Sequence, residues 1–66
     1  MPDRDEVERH QLAEAVRDAC IKAARDGYQN AAIAGLCHEG AWEAAISAMQ
    51  VLNLGAVMEQ TKDEQP

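Results

Sequence analysis

Apolar and polar positions alternate at helical spacing along nearly the whole chain. Leu12, Val16, Ala19, Cys20, Ala23, Gly27, Ala31 and Ala34 fall on one side of a helix with 3.6 residues per turn. Arg4, Gln11, Asp18, Lys22, Arg25 and Gln29 fall on the other. This pattern predicts a first helix from Arg4 to about Ala34. Gly27 is its weak point, since a mid-helix glycine costs about 1 kcal/mol relative to alanine. The apolar phase is kept across it, from Cys20 through Ala23 and Gly27 to Ala31, which predicts a continuous helix. Ile21 and Tyr28, seven residues apart, form a second strip beside the main one that a partner chain would cover.

The ends of the elements carry their own signals. Asp3 is placed to cap the first helix, with Glu6 three residues on completing a capping box. Asp5, Glu6 and Glu8 suit the positive end of the helix dipole. Asp5–Arg9 and Asp18–Lys22 stand four residues apart with the acid first, the better orientation for an ion pair. Gly35 is a helix-ending residue able to take the left-handed conformation, and Leu36 is the apolar residue that follows such a cap. A second helix is expected from Cys37 or His38 to about Leu52. Ala41, Trp42, Ala45, Ala48, Met49 and Leu52 would form its inner face, Ile46 one edge, and Glu43, Ser47 and Gln50 would point away. Asn53 can cap a short third helix in "LGAVMEQ", where Leu54, Val57 and Met58 fall together. The tail from Thr61 to Pro66 is polar and expected to fray. The ordered part of the single domain is therefore about 4–60.

Lengths convert this list into an architecture. The first helix should span about 45 Å and the second about 22 Å, at 1.5 Å per residue. Folded back antiparallel, the second covers the first only from about Ala34 down to Ala19, and the third reaches toward Val16 or Leu12. The expected fold is all-α: a long helix, an antiparallel second helix and a short third one. Two such hairpins would complete a four-helix core about a twofold axis.

Composition strengthens the expectation of a dimer. The chain has 66 residues, and 47% of them are hydrophobic, but thirteen of these are alanine and Phe is absent. Alanine favours helix and close approach while burying little area. Chains of this size commonly add disulfides, a metal or a second subunit. The dimer seam is assigned to Leu12, Val16, Ile21, Tyr28 and Met49. The net charge is −6, which argues against binding a phosphate backbone, and from Leu36 to Met58 there is no Lys or Arg. Glu39 and Glu43 could then meet a protein with a basic surface, or simply keep the chain in solution. The opening "MPDRDEVERH" lacks the apolar segment of a signal peptide, and no run approaches a membrane span. A cytoplasmic location follows as the expectation, with Cys20 and Cys37 reduced.

The chemistry-bearing residues gather in "GLCHEGAWEAA", Gly35 to Ala45. A thiol at the start of a helix is the type of group that becomes a reactive thiolate, with His38 adjacent, although Glu39 opposes that charge. The plainer reading makes Cys37 a small corner residue and Cys20 a packing residue on the alanine stripe. No C-x-x-C, H-x-x-x-H or E-x-x-H pair is present, so neither a dithiol site nor a metal site is indicated. His38 is expected to stack on Trp42 one turn later, Trp42 to anchor the junction of the helices, and His10 to be solvated. There is no Ser-His-Asp set and no phosphate-binding glycine loop, so neither an enzyme nor a cofactor is expected.

The motif formed by Gly35, Leu36, Cys37, Glu39, Gly40, Trp42 and Glu43 resembles that of a group of short, uncharacterised proteobacterial proteins, and the likeness covers most of residues 5 to 58. Some of those proteins carry an acetyltransferase label. This chain is too short for that fold and lacks an acyl-cofactor loop, so the label is not carried over. The resemblance implies a bacterial source and no established activity. The leading reading is a non-enzymatic interaction or accessory module acting through homodimerisation and a partner protein, with Cys37, His38, Glu39, Trp42 and Glu43 as candidate binding residues. The runner-up is a small thiol- or metal-dependent protein using Cys37 and His38. A distant third has the acidic face mimic DNA for a basic partner.

Overall fold

The computed structural model describes residues 4–63, which form three α-helices and no strand: α1 Arg4–Ile33, α2 His38–Gln50 and α3 Leu54–Asp63. α1 packs against α2 and α3. Contacts divide the chain into two compact units, residues 20–52 and residues 1–19 with 53–66. Asp3, the expected cap of α1, lies outside the described residues, as does the tail from Glu64. α3 continues to Asp63, past the expected end of order near Gln60.

The first unit is a helical hairpin of the second half of α1 and α2. α1 runs unbroken through Gly27, as the conserved phase of its apolar residues predicts. The reason for glycine there is the neighbouring helix. A Cβ built on Gly27 would stand 2.9 Å from the Ala48 Cβ, 3.0 Å from the Ala44 carbonyl oxygen and 3.3 Å from the Ala45 Cα. The buried residues of this unit are Ala31, Ala41 and Ala45, all alanine. Close backbone approach, not bulky side chains, fills this seam. Ala34, expected on the buried stripe, is exposed, because the helix ends at Ile33 and the chain turns away.

That turn is a Schellman motif. The Leu36 amide donates to the Ala31 carbonyl and the Gly35 amide to the Ala32 carbonyl, both at 3.0 Å. Gly35 carries φ +94° as the cap requires. Leu36 folds over Gly40 in the first turn of α2. A Cβ on Gly35 would meet nothing within 4 Å, so Gly35→Ala isolates the cost of the left-handed backbone. Urea unfolding should show a loss of about 1–2 kcal/mol, with Gly35→Asn recovering part of it. α2 stops at Gln50 with Val51 as its C-cap, two residues short of the Leu52 expected from the sequence.

In the second unit α3 lies on the first half of α1. Asn53 caps it as anticipated, its Oδ1 accepting from the Ala56 amide at 3.1 Å. Val57 is buried, while Leu54 and Met58, expected beside it, are half exposed. Leu12 and Val16 are half-buried on α1. Exposed ion pairs Arg4–Glu8 at 3.5 Å and Lys22–Asp26 at 3.1 Å line α1, and the His10 Nε2 lies 2.8 Å from a Glu14 carboxylate oxygen. Lys22 thus turns to Asp26, one turn onward, and not to Asp18. Such pairs contribute at most about 1 kcal/mol each.

Candidate functional site

The start of α2 is built from its cap outward. Cys37 is the N-cap itself, in extended conformation at φ −68° and ψ 170°, one residue before the helix rather than inside its opening turn. Its Sγ accepts from the Gly40 amide at 3.5 Å, the bond that Ser or Asn would make at this position. The side chain is exposed, so the thiol is a capping group at the surface and not a packed corner residue. Cys20 is half-buried on the alanine seam, and both thiols are free.

His38 departs from the expected stacking on Trp42. Its Nδ1 lies 2.9 Å from the Tyr28 hydroxyl, and the two rings meet edge to face with centroids 5.9 Å apart at 74°. With the imidazole proton on Nε2, the Tyr28 O–H donates to Nδ1. This link ties α1 to the first turn of α2. Sequence spacing does not disclose it, because it joins residues ten apart across a turn. The only hint was that both are polar-tipped rings near the two ends of that turn.

Trp42 was expected to anchor the junction and does not. It is 60% exposed, while Ala41 beside it is 1% exposed. Consecutive helical residues point about 100° apart, and a seam that leaves no room for a methyl group on Gly27 cannot admit an indole. Trp42 therefore lies on the flank of the hairpin. Together with His38, Glu39 and Glu43 it lines an open depression along one side of α2. Every wall of that depression comes from the same helix. It offers an exposed indole beside two carboxylates, open to water.

Among the described residues no three His, Cys, Asp or Glu side chains gather around a common point able to hold a metal ion. Nor, among the described residues, is any helix long and apolar enough to cross a membrane. No protein-family model, curated protein or solved structure matches the chain.

Proposed function

We propose that this protein is a small acidic helical interaction module that works by pairing with a second copy and presenting a surface to a partner protein. The observation that carries the reading is where its large apolar side chains lie. Val7, Ile21, Ile33, Leu36, Trp42, Val51, Leu54 and Met58 are exposed, while among the described residues the buried apolar ones are three alanines and Val57. A core of that kind shelters too little surface to hold a chain of this size comfortably. The net charge of −6 suits a partner protein with a basic surface.

The alternative, a thiol- or metal-dependent protein using Cys37 and His38, has less to support it. The imidazole Nδ1 is engaged by Tyr28 and the Cys37 sulfur takes the Gly40 amide. Sedimentation equilibrium of the full chain at micromolar concentration tests the leading reading. The expected mass is twice 7.2 kDa, with a melting temperature that rises with protein concentration. A stable monomer across that range, with a melting temperature independent of concentration, overturns it.

A further inference from the structure

We infer that the second copy seats on one particular face of the hairpin, centred on Ile21 and Tyr28 of α1 and Trp42, Ile46 and Met49 of α2. This rests on the dimer reading above and specifies its geometry.

The Tyr28–His38 bond establishes which flank of α1 and which flank of α2 share a side. Ile21 is one heptad before Tyr28, while Trp42 and Ile46 follow His38 at four-residue intervals and Met49 lies one heptad after Trp42. Ile21 is 49% exposed and Trp42 60%, and Tyr28, Ile46 and Met49 are half-buried. The face thus joins apolar surface from both helices into one strip.

Charge chooses a second copy as its occupant, because the charges at the rim are self-complementary. Arg25 stands four residues after Ile21 and three before Tyr28, at the α1 edge, whereas Glu39 and Glu43 precede Trp42 and Ile46 by three residues, at the α2 edge. All three are exposed, and among the described residues none of them has an ion-pair partner within the chain. A twofold axis along the hairpin sets α1 across α2 of the copy. The arginine edge of each protomer then meets the carboxylate edge of the other, twice over.

Sedimentation equilibrium of full-length variants tests this, with helical circular dichroism confirming that each one folds. Trp42→Ala and Ile21→Gln, both at exposed positions, should raise the dimer dissociation constant, Trp42→Ala by at least about 30-fold. Ile33→Gln, an 85% exposed position on another side of α1, should leave it unchanged. Arg25→Glu and Glu43→Arg should each weaken pairing by about two- to fivefold, and the two together should restore it. If the wild type is a monomer throughout, the dimer reading itself falls. If it dimerises but ignores Trp42→Ala and Ile21→Gln, or responds equally to Ile33→Gln, only this face is wrong. Failure of the charge pair to rescue overturns the twofold arrangement.

Discussion

Gly27→Ala lowers the stability of the hairpin, although alanine is the better helix former by about 1 kcal/mol. The added methyl group arrives 2.9 Å from the Ala48 Cβ and 3.0 Å from the Ala44 carbonyl oxygen. Two of its three nearest neighbours are backbone atoms of α2, which cannot rotate aside as the end of a long side chain can. The helices must separate, and overpacking of this kind costs about 1–3 kcal/mol, enough to offset the gain in propensity. Gly27→Leu should be far worse, with a loss of about 3 kcal/mol or more, since nothing in an alanine seam yields to an isobutyl group. Chemical denaturation of both variants decides the matter by sign. If helix propensity governs, both are more stable than the parent; if the seam governs, both are less stable and leucine is the poorer. A peptide of residues 20–33 carrying Gly27→Ala should meanwhile become more helical, which separates the local effect from the packing one.

That conflict between local preference and packing explains which parts of the molecule could be read in advance. The helices and their ends were legible because they depend on short-range chemistry. The glycine cap at Gly35 with Leu36 behind it and the Asn53 cap stand where the sequence predicts them, and α1 continues through Gly27. Lengths alone predicted that α2 would cover α1 only as far as Ala19, which is where the chain divides into its two units. Trp42 was misread for a reason that applies widely. Its size made it the obvious core residue, but the core here is defined by backbone approach, and Ala41 and Ala45 hold the inner positions. The spacing of the helices follows from the smallest residues on the seam, and large apolar side chains are displaced to its flanks. The Tyr28–His38 bond depended on where the turn delivers α2, and the Cys37 cap on which of the two expected starts, Cys37 or His38, that helix takes. Neither is encoded in a periodicity.

The displacement of large residues links the fold to the proposed role. A seam of glycine and alanine lets two helices approach closely but removes little apolar area from water. Ile21 and Trp42, too large for the seam, are left where another chain can cover them. The same residue choice that sets the hairpin spacing thus leaves its flank open for assembly.

Val57→Asp should release α3 while leaving the hairpin of α1 and α2 intact. Val57 is 7% exposed and, among the described residues, is the buried apolar residue of the unit that holds α3. It occupies the fourth position of that helix, after the Asn53 cap, where an aspartate is otherwise favoured by the positive end of the helix dipole. Any loss must therefore come from placing a carboxylate in an apolar contact, which costs about 2 kcal/mol or more. A ten-residue helix does not hold its shape in water without such a contact, so α3 should unwind once it is undocked. The cost cannot exceed the docking energy of α3, which confines the effect to one unit. Amide hydrogen exchange reads this residue by residue. Protection across α3 should fall by roughly 30-fold or more, while the amides of α2 keep theirs. Met58→Asp, at a neighbouring position 53% exposed, should leave α3 docked and its amides protected. Equal loss in both variants would mean that α3 is held by its own helix propensity, and uniform loss across α2 as well would mean that the two units unfold as one.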